Sequence, residues 1–419
     1  MIEKEKEKET TPSPSSSSSS EAPPSSTMPT SEVSSSPETP LIVNKALEAF
    51  EAHDIERCVE LLVPLGESTF IPGFMLLRTL RLSYPWVCTK HGLSASAEAL
   101  TRRINEAPNE SYAAMEDFLA AALPAASKAG AFLRASWLSF ARGDAASAQP
   151  LYAEAAPAIP SAKVNMAAYI ENALGDGPEA FRMYTDVAAA DGHAMARYNR
   201  AVILLAGKYG VAADVPQALG MLEELAAAKL SAAQYTLGMW RLNNKVPGGL
   251  ELLTGAAEQG HESAMLSLGQ CYHTGKYGEI PRDPELAVSY YDAAAREGNA
   301  EAQYCLAVCY QEGFGVKEKD FCEAAILLHL AAQQGHAGAQ VLLGVCYKTG
   351  KGVPVNHNMA AGLFEAAAKK GKTVAMCNLA MCYKTGKGVE KDEAKCRELF
   401  EKAAALGDMN AKRFLETMK

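Results

Sequence analysis

The octapeptide Cys-Tyr-Lys-Thr-Gly-Lys-Gly-Val occupies Cys346 to Val353 and is spelled again, residue for residue, from Cys382 to Val389. The copies stand 36 residues apart and their surroundings agree. Ahead of them run His336 to Val345 and Lys372 to Met381; behind them come the pairs Ala367/Ala368 and Ala403/Ala404, then Gly371 and Gly407. A fixed period of this length marks a stack of similar units.

Working outward, one register fits everything from His193 on. A small residue recurs at Ala196, Ala233, Ala264, Ala302, Ala339, Ala375 and Ala411. Four positions later stand Leu237, Leu268, Leu306, Leu343, Leu379 and Leu415, with Arg200 as the exception. A second small residue follows at Ala201, Gly238, Gly269, Ala307, Gly344 and Ala380, and then Tyr272, Tyr310, Tyr347 and Tyr383. Such spacings put all four positions on one helical face. The small position lets a neighbouring helix approach, and Leu and Tyr fill the space beside it. Each first helix ends at a glycine turn: Gly207/Gly210, Gly275/Gly278, Gly313/Gly315, Gly350/Gly352 and Gly386/Gly388. Glycine supplies the left-handed backbone angle of a helix exit. Asp214, Asp283 and Asp392 are placed to cap the second helices. His193, His261, Asn299, His336 and Asp408 share the position after the closing glycine and are read as turn residues.

The units are 193–229, 230–260, 261–298, 299–335, 336–371 and 372–407, with a capping helix over 408–419. The second is short by about six residues, Val246-Pro247-Gly248-Gly249 replacing its loop. Residues 41–192 read as degenerate helical hairpins. Helices are predicted over Asn44–Ala52, Ile55–Leu62 (capped by Asp54), Ala95–Asn105, Glu110–Ala122, Phe132–Ala141, Ala145–Ala155, Ala162–Ala173 and Pro178–Ala190. Pro64, Pro72, Pro85 and Gly92 are read as breaks. Arg142-Gly143-Asp144 has the letters of an integrin-binding motif, but a Gly after one helix and an Asp before the next is cap chemistry. Residues 1–40 alternate Glu and Lys and then run in Ser, Pro, Thr and Glu, a composition too polar to bury a core, so a disordered tail is expected. Thr11, Ser13, Ser36 and Thr39 each precede a proline and would suit a proline-directed kinase, or belong to a merely solvated tail.

Formal net charge is −9, which asks for neither nucleic acid nor an anionic membrane. Ten cysteines with no CxxC pair fit reduced thiols. Met1 to Thr10 lacks the apolar segment of a signal peptide, and no apolar run is long enough to span a bilayer. A cytoplasmic protein is expected, nuclear also being open, and not a secreted one.

These motifs resemble the Sel-one-like repeat, a relative of the tetratricopeptide repeat, over about 225 residues from His193 onward. Its pattern A-x-A-x-x-x-L-G-x-x-Y-x-x-G-x-G-V is carried by Ala337 to Val353 and by the units near Ala300 and Thr373. The resemblance implies an all-α, right-handed α-solenoid of antiparallel helix pairs whose concave face holds protein partners. Known members that are secreted or anchored in the endoplasmic reticulum do not set the location of this chain. A cysteine-rich branch linked by disulfides has been associated with β-lactam binding, and its paired cysteine spacing is missing here.

No arrangement of residues suggests catalysis, and no cofactor or metal is expected. Cys271, Cys309, Cys346 and Cys382 recur one per unit. Stacked helices lie about 8–10 Å apart, whereas zinc holds its ligands at about 2.3 Å, so the column reads as small buried hydrophobes. Thr349-Gly350-Lys351 lacks the first glycine, the following Ser/Thr and the preceding strand of a phosphate loop.

What remains is surface. By register the groove candidates are Tyr198, Tyr235, Met239, Gln270, His273, Tyr304, Gln311, Lys348, Met381 and Lys384, although several could pack against the adjoining repeat instead. His336 to Lys419 holds 14 Lys/Arg against 8 Asp/Glu, while His193 to Gly335 holds 11 against 16. Lys348, Lys351, Lys384 and Lys387 recur in phase as a basic edge, either a solvated loop rim or a dock for an acidic peptide. The expectation is a non-enzymatic adaptor or scaffold for protein segments, of unknown oligomeric state. The rival is an RNA-binding helical-repeat protein, against which the acidic balance counts.

Overall fold

A computed structural model describes residues 39–52, 54–62, 71–84, 88, 127–141, 144–277 and 280–417. Among them are twenty α-helices, one π-helical turn and no strand. In chain order they are α1 (Thr39–Glu51), α2 (Ile55–Leu62), α3 (Ile71–Ser83), α4 (Lys128–Ala141), α5 (Ala145–Ala155) and α6 (Pro160–Tyr169), the last continued by the π turn Ile170–Leu174. Next come α7 (Gly177–Asp191), α8 (Ala194–Ala206), α9 (Val215–Ala227), α10 (Ser231–Asn243), α11 (Gly249–Glu258), α12 (Glu262–Thr274) and α13 (Pro284–Arg296). The run closes with α14 (Ala300–Glu312), α15 (Phe321–Gln333), α16 (Ala337–Thr349), α17 (His357–Lys369), α18 (Thr373–Thr385), α19 (Glu393–Ala405) and α20 (Met409–Thr417). From α4 on, each helix packs on the next in sequence, which makes the all-α solenoid of helix pairs that the period predicts.

The repeat columns become the core. Leu237, Leu268, Leu306, Leu343 and Leu379 are between 0 and 4% exposed, and each buried leucine stabilises the fold by roughly 1.5–3 kcal/mol. The small column admits the partner helix of the same hairpin. A Cβ on Gly269 would stand 2.6 Å from the Tyr291 ring of α13, and one on Gly344 2.6 Å from the Phe364 ring of α17.

Side chains cap most helix starts of the repeats, those of α10, α11 and α18 excepted. The side chains of Asp214, Asp283 and Asp392 accept from the backbone N–H three residues on, at 2.9–3.0 Å. Asp320 and Asn356 do the same in the two repeats where no cap was anticipated. The backbone N–H groups of Asp283, Asp320, Asn356 and Asp392 in turn donate to the carbonyls of Tyr272, Tyr310, Tyr347 and Tyr383, tying each loop to its first helix. The column read as turn residues is a set of caps for the first helices. Nδ1 of His193, His261 and His336 accepts from Ala196, Ala264 and Ala339 at 3.4, 3.3 and 3.0 Å, and Asn299 and Asp408 supply oxygens instead.

The second glycine of three turns has a further task. Gly352 has φ +73°, and a Cβ there would land on the carbonyl oxygen of Phe321, the first residue of α15 in the preceding hairpin. Gly315 meets Pro284 of α13 and Gly388 meets His357 of α17 in the same way. These three loops are thus pegged onto the start of the previous second helix.

The irregular half departs from expectation in three places. The helix expected at Asn44–Ala52 begins at Thr39. Pro72, read as a break, is the second residue of α3, where its missing N–H costs nothing. Asp144 and Asp176 cap α5 and α7 as their positions suggest. The helix predicted over Ala162–Ala173 is α-helical only to Tyr169, then widens into the π turn and stops at Gly175 with φ +73°. Residues 1–38 of the proposed tail, with Thr11, Ser13 and Ser36, and the helices at 95–105 and 110–122 lie outside the described residues, whereas Thr39 is the first residue of α1.

Candidate partner-binding face

Each first helix meets the next one side by side, and the groove candidates divide according to whether they build that junction or stand clear of it. Tyr198 on α8 hydrogen-bonds Thr236 of α10 at 3.0 Å. Tyr235 stacks on His261 with ring centroids 5.0 Å apart, and Tyr304 lies 4.8 Å from His336. Burial pushes the Tyr198 and Tyr304 hydroxyls above the usual phenol range. Met239 and Met381 pack onto the cores of their own hairpins. His273 stacks on Phe314 at 4.2 Å, and burial followed by the Arg282 charge lowers its basicity. Gln311 reaches the Cys346 sulfur at 3.4 Å. These seven are partly buried.

Gln270, Lys348 and Lys384 are exposed, as are Lys351 and Lys387. Three of the lysines are nevertheless steered by neighbours. Lys348 donates to Asn378 at 3.2 Å, Lys384 sits over the Phe414 ring at 4.4 Å, and Lys351 over Phe321 at 5.4 Å.

A set of residues that sequence reasoning passed over ties the repeats together from inside. Gln234, Gln303 and Gln340 follow the first small position, and their amides donate to Ala226, Ala295 and Ala332 at the end of the preceding helix. The carboxamide oxygens of Gln234 and Gln303 accept from Gln259 and Gln334. In the third case Lys370 stands where the second glutamine would be and donates to Gly335, which leaves the Gln340 oxygen buried with no partner.

All ten cysteines are free thiols, and Cys322 alone among them is exposed. Burial pushes Cys271 and Cys309 up to about 11 and raises Cys346 and Cys382 as well. Thiols held neutral in this way are poor nucleophiles and poor ligands. Among the described residues, no three His, Cys, Asp or Glu side chains gather as a metal site, and no helix is long and apolar enough to cross a membrane.

A concavity lies in the irregular half. α3 lies against the first helices, in contact with α4 and α8, and between α3, α4, α6 and α8 is a cavity of about 560 Å³. On one wall Ser83, Ser161 and His193 are buried and linked, Ser83 Oγ to Ser161 Oγ at 3.1 Å and Ser161 Oγ to His193 Nε2 at 2.9 Å. Serine beside histidine has the composition of a nucleophile and its base. The helix cap sets the opposite polarity, however. Nδ1 accepts from Ala196, so the neutral ring carries its proton on Nε2 and donates to Ser161 rather than taking a proton from it. Elsewhere in the lining the Tyr152 hydroxyl donates to Ser136 at 3.4 Å and lies in hydrogen-bonding range of Ser139 and Asn165. No periodic signal marks these residues, because α3, α4, α5, α6 and the cap of α8 contribute them at unequal spacing.

Residues 194–230, 262–299, 300–336, 337–372 and 373–408 match the Sel1 repeat family model. The short hairpin α10–α11 falls in the gap between the first two matches. Among curated proteins the chain is 45% identical over 58 residues to chitin synthase regulatory factor 4 of Schizosaccharomyces pombe, a match covering 14% of this chain and 9% of that protein. It is 30% identical over 115 residues to regulatory factor 3 of the same organism, covering 26% and 12%. The chain thus aligns with about a tenth of each relative's length. Among solved structures, a protective antigen of uropathogenic Escherichia coli with an SLR fold superposes with a TM-score of 0.53 at 21% identity, covering 90% of this chain and 88% of that one. A Sel1 repeat protein from Oxalobacter formigenes gives 0.50 at 24% identity, covering 74% and 90%. These likenesses are of fold.

Proposed function

The chain carries five Sel1 repeats, and from that premise we propose that it is a non-enzymatic scaffold holding segments of other proteins along the face made by its first helices. The observation that carries this reading is the continuity of that face. The junctions Tyr198–Thr236, Tyr235–His261, Tyr304–His336 and Lys348–Asn378 set successive first helices edge to edge, with Gln270, Lys348 and Lys384 standing exposed along them. A long polar surface on a rigid core suits recognition of an extended partner, and aromatic residues near it supply area with a polar tip.

Toward α16–α19 the exposed Lys348, Lys351, Lys384 and Lys387 favour an acidic segment, steered by charge. The buried, neutral thiols and the Ser161–His193 polarity favour binding over catalysis. A cytoplasmic or nuclear setting goes with the reduced thiols. The two relatives are named as regulatory factors, and holding a regulator against its target is work for which a scaffold is suited. Their shared segment is too small a part of them to bring their target with it.

The test is affinity capture on the full chain and on Lys348→Glu/Lys384→Glu, with bound proteins compared by mass spectrometry. Loss of a defined partner set from the charge-reversed chain is expected. An unchanged set would remove the basic edge from the reading. Salt-dependent retention of RNA by the unaltered chain, with no protein partner, would replace it by the nucleic-acid alternative.

A further inference from the structure

Two positions, four residues apart, recur on the outer side of the second helices. They are small or charged on α13 (Ser289/Ala293), α17 (Gly362/Ala366) and α19 (Glu398/Lys402). On α15 they are Ile326 and Leu330, 56% and 43% exposed. Among the described residues nine large hydrophobic side chains are exposed, and three of them, Ile326, Leu330 and Met359, fall on α15 and α17. Apolar surface therefore gathers on this pair of helices, and exposed apolar surface within a polar border marks an interaction site.

α15 and α17 lie side by side and run the same way. At one end the Gly352 loop rests on Phe321, and at the other Lys370 donates to the Gly335 carbonyl. The 36-residue period puts Ile326 level with Gly362, Leu330 with Ala366 and His329 with Glu365. Gly362 is exposed, and a Cβ there would meet nothing within 4 Å. A large apolar ridge thus stands beside a shallow trough of matching length. A two-fold axis running between the two helices, parallel to them, exchanges ridge and trough. Ile326 and Leu330 of one copy then meet Gly362 and Ala366 of the other, and the reverse contact forms with it. Such reciprocity is what an isologous contact requires.

Charge follows the same exchange. It brings the exposed His329 opposite the exposed Glu365, an acid–base pair made twice. Within each copy His329 hydrogen-bonds Gln333 and Glu365 pairs with Lys369, exposed local contacts that cost little to exchange. α15 carries no Lys or Arg and one carboxylate, Glu323, so two copies meet there with little repulsion. On either side the pairs Asp292–Arg296 and Glu398–Lys402 furnish a polar rim.

We propose that a second copy of this chain docks here, α15 against α17 in both directions, as a two-fold dimer through the second helices. The dimer goes beyond the scaffold reading, which concerns the first helices, and uses none of the residues assigned to that face.

Sedimentation velocity of the full chain over a dilution series reads the assembly, with thermal unfolding as the check that each variant is folded. A concentration-dependent dimer is expected. Ile326→Glu should weaken it tenfold or more. Gly362→Leu fills the trough and should weaken it as much, while raising the thermal midpoint, since leucine suits an exposed helical position better than glycine. Ile326→Ala combined with Gly362→Leu moves the ridge to α17 and should recover the dimer that Gly362→Leu alone loses. A monomer at every concentration would overturn the proposal, and so would a dimer that neither Ile326→Glu nor Gly362→Leu weakens; both results leave the scaffold reading standing. A chain that stays monomeric and captures a different protein through Ile326 would give the face to that partner and overturn the dimer as well.

Discussion

The two halves of the molecule use the same helical hairpin to opposite ends. From α12 to α19 every hairpin repeats the same leucine and the same small residue, and the three hairpins from α14 on repeat the same pegged glycine. From α1 to α8 the hairpins keep some side-chain caps, at Asp144, Asp176 and His193, but not the leucine column or the pegged glycine. α3 crosses between non-neighbouring helices, α6 ends in a π turn, and a cavity opens where the register fails. Regularity builds a rigid rail; irregularity leaves room for something to enter.

Substitution at two glycines with the same backbone angle breaks this comparison open. Gly352 and Gly175 both have φ +73°, but a Cβ on Gly352 would strike Phe321 of the preceding hairpin, while one on Gly175 meets nothing within 4 Å. Gly352→Ala adds a steric clash to the left-handed penalty and should destabilise by about 3 kcal/mol or more. Gly175→Ala pays the left-handed penalty alone, about 1 kcal/mol. Denaturant midpoints at unchanged m-value measure both; equal losses would show that the peg contributes nothing.

The capping histidines sharpen the contrast at intermediate size. His193 is buried and holds Ser161 as well as Ala196, so His193→Ala should cost about 2–3 kcal/mol by removing a cap together with a second buried hydrogen bond. His336 caps α16 from a more exposed position beside Glu301, and His336→Ala should cost about 1 kcal/mol. Thermal unfolding of the pair checks the order.

The smallest effect has the opposite sign. Lys370→Gln would place a donor near the unpartnered Gln340 oxygen, as Gln334 does for Gln303. A gain of about 0.5–1 kcal/mol is expected, read as a higher denaturant midpoint. A loss would mean that the Lys370 bond to Gly335 is worth more than the completed glutamine pair.

Legibility followed the same divide. The leucine, tyrosine and Gly-x-Gly columns were readable because each recurs in phase, and the Asp caps because their chemistry is local. Pro72 misled, because a proline marks a break or a helix start with equal ease and only the packing of α3 decides. The glutamine bridges escaped notice because Met265 and Met376 interrupt their column. For Tyr198, Tyr235 and Tyr304 the register leaves both a groove position and packing on the adjoining repeat open, and each contacts the following repeat; a face can be deduced from register, but the reach of a side chain to its neighbour cannot. The cavity had no signature at all, since Arg78, Ser136, Asn165 and Asn199 belong to four helices with no common spacing.

The pegged glycines carry a consequence for how such an array changes length. Gly315, Gly352 and Gly388 each rest on the helix one hairpin back, so a single period holds one half of the joint behind it and one half of the joint ahead. Duplicating or deleting a whole period rejoins matching halves, whereas any fractional change leaves a glycine facing the wrong backbone. Lineages would therefore lengthen or shorten this rail in full steps, and the register in which Cys346 and Cys382 stand is what such copying leaves behind.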